Sequence, residues 1–234
     1  MVTLAAVVHD YRQQWEVLSA WLADLPDPAA STPSALPGWT LGDLVGHLGR
    51  VHDSVLALTP LELAANDEPL PLSDYLAGYR DTPGRIDELT HAFAARISDD
   101  PLRHLDRLAD QALERLTQLA SGGKTVVQAR RGPITLLDFT VSRLIELVVH
   151  GYDLAPTLPV PAPVDPTART IVAQALIEVA CHRTGYRIEV VNEEIWIKAA
   201  TGRITWPAAI AGRAVEPRSI SDGTPDLGPA LPLL

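Results

Sequence analysis

The chain has 234 residues, 47% of them apolar, enough for one large domain or a domain with a small annex, and enough to fill a real core. Nineteen basic against 29 acidic residues leave a net charge of −10, and no lysine or arginine cluster is dense enough to track a phosphate backbone, which argues against nucleic acid as a partner. One cysteine, Cys181, excludes an internal disulfide; no apolar run approaches the roughly 18 to 20 residues of a membrane span, and the chain does not open like a secretory leader, so a reducing cytoplasm is the expected setting.

In chain order, Leu4, Val7, Val8, Tyr11, Trp15, Leu18, Trp21, Leu22 and Leu25 recur at spacings of three and four, predicting an amphipathic helix that Pro26 and Pro28 stop. Thr40, with Asp43 three residues on, forms a capping box for a second helix carrying Leu44, Val45, His47, Leu48 and Val51. Pro60, Pro69 and Pro71 break the rhythm into a loop, and residues 72–79 read as a short helix. Residues 83–97 read as a further helix, and Asp99-Asp100-Pro101 caps another that runs to about Ala120 before Gly122-Gly123. Residues 125–132 have enough β-branched side chains for a strand or extended arm ahead of Pro133. Thr135 and Asp138 then make a second capping box and open the helix to Asp153. Four principal amphipathic helices in the first 155 residues, without clear strand alternation between them, predict a helix bundle.

Residues 156–166 hold five prolines and read as a stiff connector. Beyond it, Asp165-Pro166 caps a helix to about His182, Tyr186–Val191 and Ile195–Ala199 read as a hairpin around Asn192-Glu193, and a short helix spans Thr205 to Gly212. The expected fold class is therefore α+β, with a helix bundle over residues 1–157 and a small α+β domain over 158–234 that packs against it.

The chemistry points to Arg143-Leu-Ile-Glu146-Leu-Val-Val-His150-Gly-Tyr-Asp153. Its polar residues fall at offsets of three, four and three, which on a helix places Arg143, Glu146, His150 and Asp153 in one stripe on an otherwise apolar segment. A carboxylate and an imidazole one turn apart are two ligands for a divalent metal. His9, His91, His104 and His182 sit without a partner pattern. His47 and His52 lie five residues apart, about 140° around one helix, so only one of them faces a core site. His47 lies on the apolar stripe while His52 sits beside Asp53 toward the polar face, which makes His47 the third candidate ligand. Three protein ligands leave a fourth position open, as in catalytic rather than structural zinc. A Glu and a His at i, i+4 also occur as a surface pair or a core hydrogen bond, so periodicity alone leaves both readings open.

Leu36-Pro-Gly-Trp-Thr-Leu-Gly-Asp-Leu-Val-Gly-His47-Leu resembles the Trp-Thr…Asp…His-Leu signature of the DinB-like metal-dependent proteins, in particular the mycothiol-dependent maleylpyruvate isomerase family of actinobacteria. Arg131-Gly-Pro…Arg143…Glu146…Val-His150-Gly-Tyr-Asp153-Leu is similar to that family's second signature. The abundance of alanine, arginine and proline beside scarce lysine fits a GC-rich source. The resemblance covers about the first 155 residues and implies an up-and-down, DinB-like four-helix bundle that holds a divalent metal, usually zinc, through His47, Glu146 and His150. Ala200-Thr-Gly-Arg203-Ile-Thr-Trp206 and the segment to Leu234 resemble the ending of bacterial sterol-carrier-like proteins, to which the family's C-terminal domain is distantly related. This resemblance implies an arginine reaching the active site from the C-terminal domain. Arg203 is the matching position, with Arg213 and Arg218 as competitors, and the short domain puts a lipid tunnel in doubt.

The function so implied is a thiol-dependent metalloenzyme, S-transferase or isomerase, with mycothiol or a similar small thiol as co-substrate, an electrophilic substrate gripped through a carboxylate by Arg203, and Asp153 or Asp43 orienting a ligand imidazole. A binding protein with a structural or vestigial metal, and a metal-dependent hydrolase, are the two alternatives. Trp39 reads as a staple at the start of its helix, Trp196 and Trp206 as core, and Cys181 as a buried small hydrophobe. Substrate identity, the choice of metal, and monomer against homodimer stay open.

Overall fold

The computed structural model describes residues 2–25, 30–65, 67–78, 83–123, 125–154, 161, 163–218, 223 and 225–234, without the side chains of 83–85. Helix α1 (Leu4–Ala23) opens where the Thr3 hydroxyl accepts the Ala6 amide, and it buries Val7, Tyr11, Trp15, Leu18 and Trp21 as the three-and-four spacing predicts. Pro26 and Pro28, its expected stops, lie outside the described residues. Helix α2 (Leu41–Leu56) begins at the predicted capping box: Thr40 Oγ1 accepts from the Asp43 amide, and the Asp43 carboxylate accepts from the Thr40 amide. A two-residue strand β1 (Thr59–Pro60), a short helix α3 (Leu72–Ala77) and helix α4 (Pro83–Arg96) follow. Helix α5 (Pro101–Ser121) has Asp100 as its N-cap and Pro101 in the first turn, where a missing N–H costs nothing.

The expected extended arm is half of a β-hairpin. Strand β2 (Val126–Ala129) pairs antiparallel with β3 (Gly132–Thr135) and, on its other edge, with β1. Pro60, expected in a loop, and Pro133, expected to follow the arm, both sit in outer strands of this three-stranded sheet, where a proline leaves no inner ladder bond unmade. Arg130 and Arg131 form the tight turn, and Gly132 follows at φ 131 with Leu70 Cδ1 only 2.8 Å from where a Cβ would stand.

Helix α6 (Leu136–Asp153) is capped by Thr135, whose hydroxyl accepts from the Asp138 amide and donates to the Asp138 carboxylate. It is buried along nearly its whole length. Helix α1 packs against α6 and α5, and α2 packs against α5, α4 and α6, which makes α1, α2, α5 and α6 the bundle.

Helix α7 (Pro166–Thr184) is capped by Asp165 and closed by Gly185 in the left-handed region, and it lies along α6 and α1. The expected hairpin after it is not formed. Strand β4 (Ile188–Val190) pairs instead with β5 (Val215–Pro217), and between them run helices α8 (Glu193–Ala200) and α9 (Trp206–Ala211). Asn192 is the reason: its side chain accepts from the Ile195 amide as an N-cap, Glu193 and Glu194 favour the first turn, and Lys198 pairs with Glu194 at 2.6 Å. Those local signals, with burial of Trp196 and Ile197, outweigh the β preference of Ile195 and Ile197. Trp196 is core as expected, its indole donating to the Ala173 carbonyl. The chain is thus mostly helical with two small sheets among the described residues, an α+β fold. Among the described residues no helix is long and apolar enough to cross a membrane.

Candidate metal centre

His150 is fixed first by its own helix. One turn before it, Glu146 places Oε2 3.1 Å from His150 Nε2; three residues after it, Asp153 places Oδ2 2.9 Å from His150 Nδ1. Helix α2 supplies the third group, with His47 Nε2 3.3 Å from the same Glu146 oxygen. The three candidate ligands are therefore brought together, each offering one atom within 4.8 Å of the others, and their side chains are only 11 to 13% exposed.

The far side of each ring decides what this cluster is. His150 Nδ1 faces the Asp153 carboxylate, which can only accept, so Nδ1 carries a proton and Nε2 is the atom turned to Glu146. His47 Nδ1 lies 3.4 Å from Thr90 Oγ1, and that oxygen also accepts from Arg50 Nη1 at 2.8 Å. With Nδ1 of both rings turned outward to oxygen, both Nε2 atoms and a carboxylate oxygen converge on one point. As N–H donors the two imidazoles satisfy the Glu146 carboxylate directly; as lone-pair donors they and that oxygen form a three-atom ligand set for one shared cation. A tetrahedral ion with bonds of about 2.0–2.1 Å holds its ligand atoms roughly 3.4 Å apart, close to the observed 3.1 and 3.3 Å, so the residues present fit a divalent metal.

Burial works against the Glu146 charge, yet hydrogen bonds with His150 and His47 and the charge of Arg143, 3.9 Å away, hold the carboxyl well below the usual range. Burial pushes the His47 pKa down, whereas Asp153 and Glu146 overcome burial at His150 and raise it. Asp153 is fully buried and ionised despite burial because His150 and Arg203 both bond to it.

Arg203 reaches this place from the turn after α8. Its Nε donates to Asp153 Oδ1 at 3.1 Å, Nη2 to Asp153 Oδ2 at 2.5 Å, and Nη1 to the Thr201 carbonyl at 2.6 Å. Its contacts run to Asp153 and thence to His150. Of the two expected orienting carboxylates, Asp153 meets a ligand imidazole, while Asp43 bonds Thr40 and His91. His52 corrects the sequence reading. It is fully buried, not on a polar face, because the side of α2 about 140° from His47 turns toward α1, where Tyr11 shares a 2.5 Å hydrogen bond with His52 Nδ1 and Trp15 packs on the ring.

The ligand groups form part of the wall of a cavity of about 800 Å³ that also meets Trp39, Arg50, Arg130, Phe139 and Arg203. Trp39 stands edge-on to the His47 ring at 5.4 Å. Thr90 and Arg50 escaped the sequence reading. Arg50 had a signal, one turn beyond His47 on the same helix; Thr90 had none, since only packing of α4 brings it to His47.

Residues 11–155 match the family described as the mycothiol maleylpyruvate isomerase N-terminal domain, well over half of the chain. The chain belongs to that family. The matched stretch contains His47, Glu146, His150 and Asp153 and stops short of Arg203. Uncharacterized proteins from two strains of Mycobacterium tuberculosis are 27% identical over 164 residues, 70% of this chain and 61% of theirs, so the chain spans about three fifths of the length of these curated relatives. Among solved structures, a mycothiol-dependent maleylpyruvate isomerase and a histidine-to-alanine mutant of such an enzyme align at 16% identity, over 78% of this chain and 70% of theirs, with TM-scores of 0.47 and 0.46.

Proposed function

We propose that this family member is a metal-dependent enzyme, with zinc as the metal, that uses mycothiol or a similar low-molecular-weight thiol in an S-transfer or isomerisation reaction. The convergence of His47 Nε2, Glu146 Oε2 and His150 Nε2 on the cavity wall, inside the stretch that matches the family, carries this reading. Bound by those three groups, a divalent ion with an open fourth position favours thiolate over thiol and so supplies a nucleophile at neutral pH.

The remaining work falls to the chain's own side chains. Asp153 holds the proton of His150 on Nδ1 and keeps Nε2 free to bind. Arg203, with two bonds to Asp153, is a positioning residue in this proposal; the expected grip on a substrate carboxylate passes to other arginines of the cavity. Thr90, whose hydroxyl oxygen lies 3.4 Å from His47 Nδ1 and accepts from Arg50, supports the His47 ring in this proposal. Trp39 and Phe139 supply apolar wall against which water is excluded from the reacting groups. A reducing cytoplasm suits a free thiol as co-substrate.

The test is an absorbance assay of the zinc-loaded chain with mycothiol and maleylpyruvate, extended to other activated alkenes and to epoxides. Turnover that requires both thiol and metal and is abolished in His150→Ala supports the reading. Absence of thiol-dependent conversion across the panel contradicts it.

A further inference from the structure

In a chain of net charge −10, the cavity beside the metal centre gathers six arginines, Arg50, Arg96, Arg130, Arg131, Arg143 and Arg203, against Asp53, Asp87 and Glu146. Several are engaged: Arg203 with Asp153, Arg143 near Glu146, Arg96 over the Phe93 ring and Arg131 toward the Tyr75 ring. Arg50 and Arg130 differ, since among the described residues neither has a carboxylate within ion-pair distance.

Arg50 is preorganised. It stands on α2 one turn beyond His47, and its Nη1 donates to the Ile86 carbonyl at 3.0 Å and to Thr90 Oγ1, which leaves Nε and Nη2 for a ligand. Arg130 presents a second guanidinium from the tight β2–β3 turn, exposed to solvent. The groups feel one another: burial and then the Arg130 charge lower the Arg50 pKa. Glu146 and Asp53 offset part of that repulsion from beyond ion-pair distance, and an oxyanion bound by the two guanidinium groups removes more of it while matching their fork geometry.

We propose that Arg50 and Arg130 form an anion subsite in this cavity for a small organic carboxylate, the anionic part of the electrophilic substrate. The word substrate rests on the thiol-transfer reading; the anion site itself does not.

Calorimetric titration with succinate, and with uncharged succinamide as control, tests it on the full zinc-loaded chain and on His150→Ala. Succinate is expected to bind both proteins alike, more weakly as salt rises, and succinamide to bind neither. Arg130→Gln and Arg50→Gln each raise the succinate Kd about tenfold, the loss of one charge-assisted contact, and Arg130→Lys falls between. Arg130 lies on an exposed turn, so its variants report on binding even where Arg50→Gln disturbs folding. No binding to the natural chain, a Kd unchanged by Arg130→Gln, loss of binding in His150→Ala, or tighter binding of inorganic phosphate than of succinate would overturn the proposal. Failure of the thiol assay with succinate binding intact would sink the thiol-transfer reading alone.

Discussion

Each candidate imidazole ligand is backed by an oxygen, and each oxygen by an arginine: Asp153 and Arg203 behind His150, Thr90 and Arg50 behind His47. The two supports differ in charge. Burial lowers the His47 pKa, helped by the charges of His150 and Arg50, whereas at His150 the Asp153 and Glu146 carboxylates overcome the same burial and raise it. Outer partners of this kind are worth roughly 10- to 100-fold in metal affinity. Asp153→Asn, Arg203→Gln and Thr90→Val are accordingly expected to weaken zinc binding, Asp153→Asn most, while Thr90→Ser keeps it, as measured by competition with a chromogenic chelator. Equal affinity in Asp153→Asn and the natural chain would contradict the role assigned to that carboxylate. At this scale the sequence was readable wherever the chemistry lay along one helix, as with Arg143, Glu146, His150 and Asp153. It was silent on Thr90 and misleading on His52, because neighbours supplied by α4 and α1 decide what those two side chains meet.

The position of α4 depends on a glycine of α2. A Cβ on Gly46 would lie 2.7 Å from Ala94 Cβ and 3.0 Å from its Cα, so the helices approach closely only because that atom is missing. The same approach sets Thr90 against His47. Gly46→Val is expected to destabilise the chain by about 1–3 kcal/mol, the usual cost of overpacking, and to weaken zinc binding by displacing Thr90. Chemical denaturation and the same chelator competition measure both effects; stability and affinity left unchanged would show that the close approach is not needed. Helix starts were the most legible elements, since Thr40, Asp100, Thr135 and Asp165 each cap the helix the sequence places after them. The hairpin expected around Asn192 does not form because the Asn192-Glu193-Glu194 cap starts a helix there, and β5, the partner of β4, lies some 25 residues further on.

One hydrophobic core joins the bundle to the C-terminal region. Leu18, Leu44 and Leu144 of the bundle helices belong to the same buried cluster as Leu176 of α7 and Trp196 of α8. Gln14 ties the α7 end to α1, accepting from the Asp165 amide and donating to the Pro163 carbonyl. The boundary expected at 157/158 falls in a stretch whose residues 155–160 lie outside the described residues, as do 219–222 and 224 of the tail that carried the sterol-carrier resemblance. Within this core His52 acts on the stability of the entire molecule. Full burial drops its pKa to about 3, from an ordinary value near 6.5, and its Nε2 has no hydrogen-bond partner among the described residues. Between those two values the unfolded chain binds the proton and the folded chain does not, so stability is complete above about 6.5 and is lost as pH falls toward 3. Tyr11→Phe with His52→Phe removes both partners at once, and denaturation midpoints across this window are expected to fall less steeply in the double variant. An unchanged slope would mean that His52 does not carry the acid sensitivity.

Metal content tests the central claim most directly. Protein prepared without a metal-binding tag, analysed by elemental mass spectrometry beside His47→Ala and His150→Ala, is expected to carry close to one equivalent of zinc that falls in both variants. A natural chain that holds no metal even after reconstitution, or variants that retain it, would contradict the account and leave a binding module built on a metal-free bundle.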